Sequence, residues 1–186
     1  MDIKEKEFTL KDGRKAVMRS PVDEDAQNML DYLYLTACET HFVIREPEEC
    51  SELYTIEAEK DLFAHYRSAD NRAMIICIVD GKIAGCCDIY WSKMFKLSHA
   101  AHVAIAVTKE FWGLGVAATL FQEMMDIAEQ NENILQIELE FIEGNARARA
   151  FYEKFGFRIC GESVDAIRLK DGRLVSTYIM KKKIER

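Results

Sequence analysis

Residues 103–118 read VAIAVTKEFWGLGVAA: an apolar run, a short polar stretch, two glycines one residue apart and two alanines. Val103 to Val107 is short and wholly apolar, the pattern of a strand buried on both faces. From Leu114 to Gln130 the apolar residues Val116, Ala117, Leu120, Phe121, Met124, Ile127 and Ala128 recur at helical spacing. Gln122, Glu123, Asp126 and Glu129 fall mostly opposite them, so a helix follows the glycines. Between strand and helix there is little side chain to do chemistry, and function there must use main-chain N–H groups. A turn of small residues opening a helix presents those groups at the positive end of the helix dipole, where phosphate oxygens bind. Gly113 and Gly115 keep Cβ atoms away from such a ligand. The alternative is that they only let helix and strand pack closely.

Working outward, Leu135, Ile137, Leu139 and Phe141 alternate with Gln136, Glu138 and Glu140, which reads as a strand. Asn145 to Lys154 reads as a further helix, ended by Gly156. The order strand, glycine turn, helix, strand implies a right-handed crossover and a parallel strand pair. On the N-terminal side, Ala73 to Val79 and Lys82 to Ile89 form a hairpin across Asp80-Gly81. A helix is expected over Ile56 to Arg67, and another starts at Asp23 as N-cap and runs through Met29, Leu30, Leu33 and Tyr34. Ala16 to Arg19 is a strand ended by Pro21. Leu-Lys-Asp-Gly-Arg occurs at 10–14 and 169–173, and each Asp-Gly is read as a type I′ hairpin turn rather than part of a repeat.

With 186 residues, 49% of them hydrophobic, and no linker-like stretch, the chain reads as one domain, 1–186. The net charge of −7 argues against nucleic-acid binding and favours a cationic partner. Ala73 to Val79 is the longest apolar run, far below the ~20 residues of a membrane helix. The six cysteines contain no Cys-x-x-Cys pair, and MDIKEKEF is too charged for a signal peptide, which places the protein in the cytoplasm with reduced thiols. Cys86 and Cys87 are strand neighbours facing opposite ways and read as small buried hydrophobes. His99 and His102 lack a carboxylate or thiol at zinc-like spacing, so no metal is expected.

A P-loop would need Gly-Lys-Ser/Thr where the chain has Gly115-Val116-Ala117. Gly113-x-Gly115-x-x-Ala118 matches the dinucleotide fingerprint, but Thr108 to Trp112 separate it from the strand and only about 70 residues remain for a second nucleotide half. The third reading comes from resemblance. Val103 to Val107, Trp112-Gly-Leu-Gly-Val-Ala117 and Asn145-Ala-Arg-Ala-Arg-Ala-Phe-Tyr-Glu-Lys-Phe-Gly-Phe157 together resemble the GNAT superfamily of acetyl-CoA-dependent N-acetyltransferases. That family carries Arg/Gln-x-x-Gly-x-Gly/Ala, then Asn-x-x-Ala, a tyrosine and Gly-Phe. Trp112 stands where the family has Arg or Gln, so part of its pyrophosphate contact must come from elsewhere.

The resemblance, strongest over residues 73–160, implies an α/β domain of the α+β type. Its mixed, mostly antiparallel sheet would be flanked by helices and splayed at a central parallel pair. It further implies that Ile105, Ala106 and Val107 pair with the pantetheine arm of acetyl-CoA. Gly113, Leu114, Gly115, Val116, Ala117 and Ala118 would cradle the pyrophosphate, Asn145 would bond the pantetheine, and Tyr152 would lie near the sulfur. The implied activity is N-acetylation of a primary amine, on a small molecule or a protein N-terminus, by direct attack in a ternary complex. It leaves room for a homodimer. Such transfer needs a neutral amine, a stabilised oxyanion and a protonated leaving thiolate. Tyr152 is the candidate acid, against a packed helix tyrosine; Glu140 is the candidate base, against a solvated strand carboxylate like Glu138. An acyl-CoA sensor without turnover and a dinucleotide-dependent oxidoreductase are the competing functions.

Overall fold

The computed structural model describes residues 1–185. In chain order the elements are β1 (Lys6–Thr9), β2 (Lys15–Arg19), α1 (Ala26–Glu39), α2 (Pro47–Leu53), α3 (Ile56–Ser68), β3 (Arg72–Val79), β4 (Lys82–Trp91), β5 (Ala100–Val107), α4 (Val116–Gln130), β6 (Gln136–Ile142), α5 (Ala146–Lys154), β7 (Arg158–Arg168) and β8 (Leu174–Lys183). The strands are hydrogen-bonded in the order β1-β2-β3-β4-β5-β6-β8-β7. β5 and β6 are parallel, and the pairs β1–β2, β2–β3, β3–β4, β6–β8 and β7–β8 are antiparallel, giving the mixed α/β sheet expected. Among the described residues no helix is long and apolar enough to cross a membrane.

Two compact units are distinguished, one of Met1–Tyr90 with Ile105–Ile127, the other of Trp91–Ala104 with the chain from Ala128 onward. In the first unit, β3 is buried on both faces at Ala73 to Cys77, which explains its unbroken apolar run. α1 and α3 cover one face through Met29, Tyr32 and Phe63, which pack with Met74, Ile76 and Ile83. Cys86 lies against that cluster, whereas its neighbour Gly85 points the other way, toward Val107 and Val116 at the start of α4. The fully buried Val116, Leu120, Phe121 and Met124 are the apolar stripe read from the sequence.

Asp80 and Gly81 both have positive φ, 49° and 77°, as a type I′ turn requires. The two Leu-Lys-Asp-Gly-Arg stretches differ from expectation, because only the glycines have positive φ. Leu10 N–H bonds Arg14 O at 2.9 Å and Gly13 N–H bonds Leu10 O at 2.9 Å. The same pair of bonds joins Leu169, Arg173 and Gly172. These are three-residue loops closed by a left-handed glycine, and the side chain of Asp12 or Asp171 stabilises each by accepting from the arginine N–H two residues on. The first helix also begins later than Asp23. A 3-10 turn, Asp23–Asp25, precedes it, and Asp25 accepts from Val22 N–H and from both Arg19 Nη atoms.

In the second unit β6 pairs with β5 over Gln136–Glu138 opposite Ala100–His102, and with β8 along its whole length. Ile137, Leu139 and Phe141 are buried as their alternation required, but Leu135 lies outside the strand and is exposed. α5 ends at Lys154, and Gly156 takes the left-handed conformation that lets Phe157 turn back into the core.

Candidate active site

The glycine turn is built by conformation rather than by lack of room. Gly113 and Gly115 sit at φ 77° and 105°, and a Cβ on either would meet nothing within 4 Å. An L side chain is strained in that backbone whatever the space, so glycine is demanded by φ. Thr119 N–H closes onto Gly115 O at 3.0 Å. The N–H groups of Val116, Ala117 and Ala118 precede it, in the turn where an α-helix has no internal acceptors. Gly113 and Ala118 are exposed, while Leu114, Gly115 and Ala117 are half-buried. These are donors at a helix dipole's positive end, and they fit a phosphate-bearing ligand.

Two bonds hold the turn in place. Trp112 Nε1 donates to Val107 O at 2.7 Å, and Lys11 N–H donates to Leu114 O at 3.1 Å. Trp112 therefore ties the turn to the end of β5, with the Lys109 ammonium 5.9 Å from its ring. Upstream, Ala104 is exposed and Ile105, Ala106 and Val107 are half-buried, an open stretch in an interior strand. The Ala106 carbonyl accepts from Tyr32 Oη at 2.9 Å. With Val107 O and Ala106 O both engaged within the protein, the three residues are not equivalent as partners for a bound strand-like arm.

In the second unit, Asn145 is the N-cap of α5, its Oδ1 accepting from Ala148 N–H at 3.1 Å. Its amide nitrogen is the donor that the cap does not use. Tyr152 is 6% exposed, its ring centroid 5.5 Å from that of Phe151, 6.3 Å from Phe157 and 6.4 Å from Phe141. Glu140 is exposed on β6 and accepts a hydrogen bond from Thr177 Oγ1. Glu138 is not simply solvated: Lys181 Nζ lies at 2.8 Å, and despite partial burial this partner and Gln136 hold its carboxyl below the ordinary range. Glu140 and Tyr152 flank Phe141, one beside it along β6 and the other against its ring.

A polar group in the first unit went unread. On β4, Cys86 and Asp88 share the face covered by α1 and α3. Tyr66 Oη donates to Asp88 Oδ2 at 3.0 Å, and the Arg72 guanidinium lies 5.5 Å from the Tyr66 ring. Burial pushes the Asp88 carboxyl up, against the Tyr66 bond and the Arg72 charge. Glu59 on α3 is 4% exposed, and burial pushes its carboxyl up as well, with the Arg45 charge opposing. The signal was there: Ile56, Glu59, Phe63 and Tyr66 fall on one helical stripe, so a carboxylate stands where an apolar residue belongs. Among the described residues no group of three or more His, Cys, Asp or Glu is placed to hold a metal.

Residues 34–157 match the model of the acetyltransferase (GNAT) family, two thirds of the chain. The chain belongs to that family and is an acyltransferase. It is 28% identical over 137 residues to the L-amino acid N-acetyltransferase AaaT of Escherichia coli (strain K12), covering 73% of this chain and 84% of that protein. In fold it is similar to a GNAT-family acetyltransferase from Streptococcus pneumoniae (TM-score 0.83, 24% identity, 91% of this chain and 99% of that one). It is also similar to yncA, a putative acetyltransferase from Salmonella typhimurium with its cofactor acetyl-CoA (TM-score 0.76, 12% identity, 92% and 95% covered). The family assignment leaves the dinucleotide reading of Gly113-x-Gly115-x-x-Ala118 without support.

Proposed function

We propose that this protein transfers the acetyl group of acetyl-CoA to a primary amine by direct attack in a ternary complex. The observation that carries the reading is the glycine turn: two residues forced to positive φ deliver the chain into a helix whose first N–H groups have no acceptor within the helix. Family membership and a similar fold with acetyl-CoA bound support the identity of the ligand. The name of the Escherichia coli relative supports the amino group of an amino acid as the acceptor. The six free cysteines suit a reducing, cytoplasmic compartment.

Acetyl-CoA supplies an activated thioester, and the residues divide the remaining work. The N–H groups of the Gly113 to Ala118 turn, apart from that of Leu114, which donates to Phe111 O, hydrogen-bond the pyrophosphate, and the partly exposed stretch at Ala104 to Val107 offers its unengaged main-chain groups to the pantetheine arm. Asn145 contributes its spare amide donor. Tyr152, shielded from water by three aromatic rings, protonates the leaving sulfur, and Glu140 takes the proton of the amine directly or through water.

The test is release of CoA thiol with a panel of amines, wild type against Tyr152→Phe. Loss of a general acid lowers kcat about 10²-fold or more. The phenylalanine ring keeps the contacts with Phe141, Phe151 and Phe157, so folding should survive. Equal rates on every accepted amine would remove Tyr152 from the chemistry.

A further inference from the structure

The five residues Leu-Lys-Asp-Gly-Arg form the same loop twice, but only the first copy is docked against a neighbour. In both, the aspartate accepts from the arginine N–H two residues on and pairs with its guanidinium, Arg14 Nε to Asp12 Oδ2 at 2.8 Å and Arg173 Nε to Asp171 Oδ2 at 2.7 Å. Each loop is therefore closed by its own residues. Yet the Arg14 side chain is 30% exposed and that of Arg173 70%. The difference is what lies against the first loop.

Arg14 reaches the segment that enters the glycine turn. Its Nη1 lies 2.7 Å from Glu110 Oε1, and its Cζ lies 4.6 Å from the centre of the ring of Phe111, a buried residue. A planar guanidinium holds a carboxylate at its edge and a ring on its face at once, which an ammonium cannot do. Asp80, at the tip of the β3–β4 hairpin, stands 3.9 Å from the same Nη1. Each exposed ion pair contributes little alone, but here three carboxylates and one ring fix a single side chain. For Arg173, the partner among the described residues is Asp171.

Docking has a consequence inside the turn. With the loop seated, Lys11 N–H donates to Leu114 O at 3.1 Å, between Gly113 and Gly115. Leu114 is held from both sides, because its own N–H donates to Phe111 O at 3.4 Å. The Leu114 carbonyl and the Gly115 N–H belong to one trans peptide and point in opposite directions. A donor on that carbonyl aims the Gly115 N–H away from the loop and strengthens it as a donor.

We propose that Arg14 is a positioning residue for the coenzyme. It clamps the first Leu-Lys-Asp-Gly-Arg loop onto the glycine turn, so that Lys11 holds the Leu114–Gly115 peptide with its N–H turned to the pyrophosphate. This rests on the acetyltransferase function proposed above. The second loop, which lacks the dock, has no part in it.

The experiment titrates acetyl-CoA calorimetrically into wild type, Arg14→Ala, Arg14→Lys and Arg173→Ala. The expected result is a Kd raised about 3- to 10-fold in Arg14→Ala and changed less than twofold in Arg173→Ala. Arg14→Lys keeps the positive charge but not the planar stack, and should still bind about threefold more weakly than wild type. In steady-state assays of acetyl transfer to leucinamide, the KM for acetyl-CoA should rise with the Kd, while kcat and the amine KM change less than about twofold. Equal Kd values for wild type and Arg14→Ala, whatever the Tm, overturn the inference and leave the acetyltransferase intact. Wild-type affinity in Arg14→Lys also overturns it, because charge alone would then suffice. If wild type binds no acetyl-CoA, the proposed function fails and this inference fails with it.

Discussion

A methyl group added at Gly85 would lie 2.9 Å from Val107 Cγ2, 3.1 Å from Ala106 O and 3.2 Å from Val116 Cγ1. Non-bonded carbons rest about 3.5–4.0 Å apart, so all three contacts are compressed. Two of the three neighbours have no easy retreat. Ala106 O already accepts from Tyr32, and Val116 is fully buried at the first residue of α4. Overpacking of this kind costs about 1–3 kcal/mol. For a chain of this length each kcal/mol lowers Tm by about 2–4 °C, so Gly85→Ala should lose about 2–12 °C. The atoms that must move are the end of β5 and the opening of α4, and the Kd for acetyl-CoA should rise with the loss of stability. Gly81→Ala is the control: φ is +77° and an added Cβ would meet nothing within 4 Å. It should cost about 1–2 kcal/mol from backbone strain with an unchanged Kd. Thermal unfolding by circular dichroism and calorimetric titration with acetyl-CoA read both quantities. A Gly85→Ala protein with wild-type Tm and wild-type Kd would refute the close approach of β4, β5 and α4.

Trp112→Phe keeps an aromatic ring but removes the donor to Val107 O, a loss of about 0.5–1.5 kcal/mol. If the indole positions the turn, the same titration should show acetyl-CoA bound about 2- to 10-fold more weakly; an unchanged Kd would show that the turn holds its shape without it. Asp25 carries a pH dependence. Burial raises its carboxyl, but Arg19 and Val22 N–H outweigh that and leave it below the ordinary 3.8. Its contribution is therefore present above that value and lost as pH falls through the folded one. Asp25→Asn should cost about 1.5–3 kcal/mol by urea unfolding at pH 7, with the gap to wild type narrowing as the pH falls below the ordinary carboxylate value; a gap unchanged by acid would show that charge is not what holds the pair.

Much of the site lay open in the one-dimensional pattern. The strand at 103–107, the glycine turn and the amphipathic helix beyond it are local features, governed by periodicity and by which residues tolerate positive φ. The hairpin at Asp80-Gly81 is legible for the same reason, since both turn residues have the required φ. The Leu-Lys-Asp-Gly-Arg turns were misjudged because Asp-Gly suits two loop types, and only the strand register selects between them. α2 and the extent of the strands flanking Asp171-Gly172 were not read, although a hairpin turn was expected there. The first is one short helix carrying a proline at its start, and of the strands β7 is exposed along nearly its whole length, so no buried face marks it.

Local chemistry along the chain was enough to establish a strand, a bare turn and a helix that present main-chain donors, and with the Asn145 to Phe157 signature it pointed to the family. The surroundings of each side chain were a different matter, because they depend on residues distant in sequence. Trp112 turns to Val107 O, Tyr152 packs its ring among Phe141, Phe151 and Phe157, and Asn145 spends its oxygen on a cap. Glu59 shows the difference most plainly: in sequence it is one of many acidic residues, and only the packing of α3 over β3 and β4 takes its charge out of water and leaves it unanswered.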